Sequence, residues 1–110
     1  MTLDSFFVET VDQDLKERIK RLRSIMLINS CIYYEMNENV ITDHAWQAFA
    51  DELADIQNKH PDHVKINWFD QYFEGWDGTS GYNLPLRDPW VYGKAEQILR
   101  YHKKEMQNAV

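Results

Sequence analysis

Residues 33–61 read YYEMNENVITDHAWQAFADELADIQNKHP, and this stretch decides the fold class. A tyrosine pair closes one helical segment, the polar turn NENVIT follows, and Asp43 and Trp46 open a second helix. Thr42 carries the hydroxyl that suits an N-cap, and Asp43 sets a carboxylate at the positive end of the helix dipole. Trp46, Phe49, Ala50, Leu53 and Ile56 then form one stripe, with Gln47, Asp51 and Asp55 outside it. Pro61 stops the run. A helical hairpin is predicted.

Working upstream, Leu15, Ile19, Leu22 and Met26 recur at three- and four-residue steps, and the stripe continues through the polar Asn29 to Tyr33. Lys16, Lys20 and Arg23 fall on the other face, so all three are expected to be solvated. Asp12 is the expected N-cap and the helix should run to Tyr34 or Met36. Residues 1–10 read as a lead-in whose Leu3, Phe6, Phe7 and Val8 pack back on the core. The segment IMLINSCIYY is apolar around most of its circumference and should lie centrally.

Working downstream, Asn67 can cap a short third helix with Trp68, Phe69, Tyr72, Phe73 and Trp76 as an aromatic face. GWDGTSGYNLPL, residues 75–86, holds three of the chain's four glycines and reads as a loop. Asp88 before Pro89 is a helix start, a capping side chain followed by a residue that lacks the N–H otherwise left unpaired. The last helix should reach Gln107 with Val91, Ala95, Ile98 and Leu99 inward, and Lys103 and Lys104 suit its dipole. No alternating run is long enough for a strand. The expected fold is mainly all-α, about four helices and one glycine-rich loop. It should form a single domain over 1–110, with the hairpin in 19–64 and the aromatic, glycine-rich remainder in 65–110.

The 110 residues are 44% hydrophobic, enough for one core and too many for a disordered chain. The net charge of −6 is unevenly spread. Residues 31–80 carry ten acids against Lys59 and Lys65, while 1–30 and 81–110 are balanced or slightly basic. That middle segment is unsuited to direct DNA binding through phosphates and would tolerate or attract a basic protein partner. A solvated acidic face is the plainer alternative. No apolar run reaches membrane-spanning length, and the acidic N-terminus is unlike a secretory signal. The lone Cys31 cannot make an internal disulfide and reads as a small buried apolar residue in a reducing, cytoplasmic setting.

The order Tyr33-Tyr34, Asp43, Trp46-Gln47 resembles the nucleotide-recognition domain Ia at the N-terminus of bacterial NAD-dependent DNA ligases. In that family a tyrosine-histidine pair, an aspartate and a tyrosine-aspartate pair grip the nicotinamide mononucleotide (NMN) half of NAD. Matched without gaps, Tyr33 takes the first tyrosine position, Tyr34 the histidine, Asp43 the aspartate, Trp46 the second tyrosine and Gln47 the last aspartate. Leu22-Arg23 upstream, Asp51-Glu52, and the Lys59-His60-Pro61 ending also look like the family, over roughly residues 19–64. The resemblance implies a helical piece with an NMN- or NAD-like site at Tyr33, Tyr34, Asp43, Trp46 and Gln47. Tyr33 and Trp46 could sandwich a pyridinium ring, and Asp43 could accept hydrogen bonds and neutralise charge. With histidine replaced by Tyr34 and aspartate by Gln47, weaker binding or a changed ligand is expected. Equally, Tyr33, Tyr34 and Trp46 could be helix-packing aromatics and Asp43 only a helix start.

The family's nucleotidyl transfer needs a lysine in a Lys-x-Asp-Gly motif. Here Asp77-Gly78 follows Gly75-Trp76, so no adenylated lysine can form and the chain is expected to be non-catalytic. GWDGTSGY lacks the Lys-Ser/Thr ending of a phosphate-binding loop. His60 to His63 offers too few ligands at suitable spacing for zinc. Eight of the fifteen aromatics lie between Trp68 and Tyr92, a density suited to a partner-binding surface at Trp68, Tyr72, Trp76, Asp77 and Tyr82. Two functions are therefore expected. One is a small binding protein, encoded by a phage or mobile element, with a degenerate nicotinamide-nucleotide site. The other is an acidic inhibitor of a basic nucleic-acid-binding protein such as a host-defence nuclease, of anti-CRISPR or anti-restriction type.

Overall fold

A computed structural model describes residues 3–108, with side-chain environments from residue 12 onward. Helix α1 spans Leu3–Met36, α2 Asp43–Lys59, α3 Asp70–Phe73 and α4 Pro89–Asn108, with a 3₁₀ turn at Pro61–His63 between α2 and α3. The fold is all-helical among the described residues. α1 is the spine, and both α2 and α4 pack against it. At 1.5 Å per residue its 34 residues extend about 51 Å, which sets the 55 Å long axis of the molecule.

α1 begins nine residues before the expected start at Asp12. The chain has no proline or glycine before Pro61, so nothing breaks the helix upstream of Asp12. Residues 3–10 are therefore helix rather than lead-in. The packing expected of Leu3, Phe6, Phe7 and Val8 lies outside the described side chains. Asp12 is not a cap; from within the helix its Oδ1 meets His63 Nε2 at 2.8 Å. The helix stops at Asn37, whose φ of 54° is left-handed, a conformation that asparagine tolerates at helix ends. Glu38 N–H then returns to the Ile32 carbonyl at 3.1 Å.

The core joins the α1 stripe of Ile19, Leu22, Met26 and Cys31 to Ala50 and Leu53 of α2 and Val91 and Ala95 of α4. Phe73, Leu84 and Leu86 close it from the α3 region and the loop. The inward faces of α2 and α4 thus follow the expected stripes, except that Ile98 is exposed. Burial pushes the Cys31 thiol up to about 11, with Glu35 and Glu96 adding to the shift, so it is protonated and apolar at neutral pH. Asp88 starts α4 as expected: its Oδ1 accepts from the N–H groups of Trp90 (2.9 Å) and Val91 (3.3 Å).

Arg23, expected on the solvated face, is only 1% exposed. All five of its N–H donors are used. Nε and Nη2 donate to Gln57 Oε1 at 3.0 and 2.9 Å, and Nη2 also to the Val64 carbonyl at 2.9 Å. Nη1 donates to the Trp68 carbonyl at 2.8 Å and to Asp70 Oδ1 at 2.6 Å. The guanidinium also sits 5.4 Å from the Phe73 ring centroid. A buried charge is tolerated only when paired and fully hydrogen-bonded, and the segment 64–70 wraps the guanidinium to meet that demand. Asp70 also accepts from the N–H groups of Ile66, Asn67 and Trp68, which shapes the turn into α3. Asn67 is not the cap; it takes a left-handed φ of 56° inside that turn.

The two partners' pKa shifts do not mirror each other. Burial lowers Arg23, and the bond and charge of Asp70 restore only part of the loss; the guanidinium is charged at every accessible pH regardless. Desolvation pushes Asp70 up, but the bonds from Arg23 and the three backbone N–H groups outweigh it and hold the carboxyl below its ordinary value. A depressed carboxylate contributes stability that is complete above the unfolded value of about 4 and fades as pH falls through the folded value. Urea unfolding below about pH 4 should therefore lose stability faster in the wild type than in Asp70→Asn. At pH 7 the variant should be weaker by about 1–3 kcal/mol, because Arg23 keeps its charge without its partner. Parallel pH profiles for the two proteins would refute this role for Asp70.

Candidate functional site

The turn from α1 to α2 opens a cleft of about 270 Å³. Its walls come from the last turns of α1, the segment 39–42, the first turns of α2 and the tip of the 75–86 loop. Tyr33, Tyr34, Asp43, Trp46 and Gln47 all line it. The five positions singled out in the sequence converge on one open hollow.

Each wall has a local cause. Thr42 caps α2 as expected, its Oγ1 accepting from Ala45 N–H at 3.0 Å, which fixes Asp43 in the first turn. Trp46, on the core side of α2, donates Nε1–H to Ser30 Oγ of α1 at 3.3 Å. Ser30, Tyr33 and Tyr34 share one face of α1 by their three- and four-residue spacing. Tyr33 is 51% exposed, so it is not the helix-packing residue its stripe position allowed. Its ring meets Tyr34 edge-on at 4.9 Å, and Tyr34 meets Tyr82 at 5.4 Å. Trp46 is half-buried and packs at 6.4 Å against Trp76.

The loop is held against this wall by polar ties and close backbone contacts. Gln47 Nε2 donates to the Gly78 carbonyl at 3.1 Å and to Asp51 Oδ1 at 2.8 Å. Trp76 Nε1–H donates to the Ser80 carbonyl at 2.9 Å. Asp77 Oδ1 accepts from Thr79 N–H and Oγ1–H at 3.0 and 2.7 Å, a local turn that holds the Asp77 carboxyl below its usual range. Gly78, at φ 81°, lies against the Ala50 carbonyl, and Gly81 presses on Ser30 and Trp46. Thr79 and Ser80 thereby complete the rim. Sequence reasoning missed Ser30, Thr79 and Ser80. A lone serine in an apolar stripe was the one available signal, and nothing in the loop indicated which residues would reach α2.

Electrostatically the cleft has one formal charge. Its lining contains no Lys, Arg or His, and Asp43 supplies the only carboxylate. The nearby Glu35 and Glu38 of the α1 end are paired with Arg87 (3.1 Å) and Lys103 (3.0 Å).

The aromatics assigned to a partner surface divide among three clusters. Trp68 stacks edge-on with Trp90 at 4.8 Å and donates Nε1–H to Ser24 Oγ at 3.0 Å, with Lys20 Nζ 4.5 Å from its ring. Tyr72 joins it through Phe69. Trp76 packs between Trp46 and Phe73. Tyr82, 68% exposed, stands with the tyrosine pair at the cleft. A second hollow of about 470 Å³ lies over Arg23, Phe73 and Trp76. It is larger, but the Arg23 guanidinium at its floor has no donor left for a ligand. Among the described residues no group of three His, Cys, Asp or Glu is placed to hold a metal, and no helix is long and apolar enough to cross a membrane.

No family model, curated protein or solved structure matches this chain.

A Cβ at Gly81 would fall 2.0 Å from Ser30 Oγ and 2.7 Å from its Cβ, whereas one at Gly93 in α4 meets nothing within 4 Å. Gly81→Ala should therefore cost about 1–3 kcal/mol by overpacking, and Gly93→Ala should gain up to about 1 kcal/mol from helix propensity. Combining Gly81→Ala with Ser30→Gly should restore at least about 0.5 kcal/mol relative to the sum of the single changes. Additive losses in a denaturation cycle would mean that the loop does not seat on Ser30.

Proposed function

We propose that this chain is a small non-catalytic binding protein whose α1–α2 cleft holds a nicotinamide-containing nucleotide, or a ligand derived from that chemistry. The observation that carries this reading is the convergence of Tyr33, Tyr34, Asp43, Trp46 and Gln47 on one open cleft. These residues sit in the order that resembles the NMN-gripping part of NAD-dependent DNA ligases, and helix packing alone would not require Tyr33 and Tyr34 to stay exposed. A pyridinium ring held against tyrosine or tryptophan gains about 0.5–2 kcal/mol from its charge, and the Asp43 carboxylate adds a charge-assisted contact. Gln47 acts differently from a ligand-gripping aspartate. Its amide is committed to the Gly78 carbonyl and Asp51, so it serves the ligand by holding the loop wall. Without the lysine motif of the ligases, the cleft binds and does not transfer.

Isothermal titration with NMN, NAD and ADP-ribose checks this reading. NMN and NAD should bind, with dissociation constants of about 10 µM to 1 mM for a site with few charged contacts. Tyr33→Ala should weaken both roughly tenfold or more, the loss of a ring contact of about 1.5 kcal/mol. ADP-ribose, which lacks the pyridinium ring, should not compete. Silence from all three ligands at millimolar concentration would dispose of the proposal.

A second reading, compatible with the first, is an acidic interaction protein that blocks a basic, nucleic-acid-binding partner. It is supported by Asp43, Asp51, Asp62, Glu74 and Asp77, which have no cationic partner among the described residues, and by the exposure of Tyr82. Such a partner should be captured from host lysate at about 50 mM salt and released at about 500 mM, where screening shortens to a few ångströms. Capture that is indifferent to salt would exclude a charge-driven interface.

A further inference from the structure

We infer that the α1–α2 cleft selects a single-ring organic cation and gives no recognition to a phosphate. This deepens the reading of the cleft as a ligand site and rests on it. Size is the first argument. At about 270 Å³ the cleft falls just below the roughly 300–1,000 Å³ of sites that enclose a drug-sized molecule. One ring and its immediate substituents fit, and the remainder of a dinucleotide would lie in solvent.

Charge is the second argument. A bound phosphate is ordinarily met by Arg, by Lys or by a helix N-terminus. The lining holds neither Arg nor Lys. Arg87, just before α4, and Lys103, within α4, are paired with Glu35 and Glu38 near the end of α1 and are not part of the lining. The helix-end contribution also fails an anion. The cleft lies between the C-terminal turn of α1, which contains Tyr33 and Tyr34, and the N-terminal turn of α2, which contains Asp43. The partial charges of those two ends are about −0.5 and +0.5, so they oppose each other across the hollow. What remains is the negative charge of Asp43, in a lining it shares with the rings of Tyr33, Tyr34 and Trp46. A carboxylate beside electron-rich ring faces is a receptor for a cation.

The test is a calorimetric series at low ionic strength with three probes: N-methylnicotinamide, a cation without phosphate; NMN, which has the same ring with ribose phosphate; and neutral nicotinamide. N-methylnicotinamide should bind within about threefold of NMN, and nicotinamide at least about tenfold more weakly, as expected when the cationic ring supplies the attraction. Asp43→Asn keeps a helix-start side chain and should leave the circular dichroism unchanged, with the melting temperature lower by no more than a few degrees from the lost helix-end charge. It should weaken N-methylnicotinamide about five- to tenfold without changing nicotinamide. NMN binding at least about tenfold tighter than N-methylnicotinamide would overturn the inference, by showing a phosphate contact, while leaving the nucleotide reading intact. N-methylnicotinamide binding with NMN and NAD silent would uphold the inference and remove the nucleotide reading. Equal affinity for nicotinamide and its methylated cation would overturn the inference whatever NMN does.

Discussion

The buried guanidinium of Arg23 is the constraint on which the rest of the structure depends. Residues 60–75 contain little regular structure, although Phe73 enters the core and Ile66 and Phe69 pack against it: one 3₁₀ turn, one helix of four residues and two left-handed non-glycine residues, Asn67 and Phe69. Such a segment would not hold its shape against conformational entropy unaided. It is ordered because a charge buried on α1 must find five acceptor contacts, and the carbonyls of Val64 and Trp68 and the carboxylate of Asp70 supply three of them. Gln57 brings α2 into the same network, donating Nε2–H to the Phe73 carbonyl while its oxygen serves Arg23. One side chain thereby fixes α1, α2 and the α3 turn relative to one another. Phe73 and Trp76 follow from that turn, and Trp76 in turn buttresses Trp46 at the back of the cleft.

The cleft is accordingly a product of two independent anchors. On one side the α1–α2 hairpin is closed by Asn37, the Thr42 cap and the Trp46–Ser30 bond. On the other the glycine-rich loop is drawn in by Gln47 and allowed to approach only because Gly78 and Gly81 have no Cβ. Neither anchor uses Tyr33 or the Asp43 carboxylate, which leaves those groups free to meet a ligand.

Much of this was legible in the sequence, and the exceptions share a cause. Local signals read correctly: the Thr42 cap, the Asp88-Pro89 start, the stop before Pro61 and the apolar stripes of α2 and α4 all depend on residues within a turn or two. Long-range polar contacts did not read. Arg23 flanks the Leu15–Met26 stripe, four residues after Ile19 and three before Met26, and only its charge argued for solvent. The acceptors that bury it lie 34 to 47 residues away. The true start of α1 was missed for a different reason: Asp12 looked like a cap, yet no breaker precedes it, and its carboxylate is used by His63 instead. For the cleft, motif order named five lining residues. The contribution of Ser30, Thr79 and Ser80 depends on how a loop folds back, which no local pattern encodes.

The exposed tyrosines add little to the stability of the fold. Tyr33, Tyr34 and Tyr82 could each be held in place by edge-to-face contact with the next, at about 0.5–1.5 kcal/mol per pair and separations of 4.9 and 5.4 Å. That is enough to bias ring orientation and too little to account for stability, because half or more of Tyr33 and Tyr82 remains in water. The core closes through Leu22, Leu27, Leu53 and Val91 without them. Rings that are pre-oriented, wet on one face and set beside an uncompensated carboxylate contribute little to folding. For the flat cation proposed as ligand, such pre-orientation would lower the ordering entropy to be met on binding.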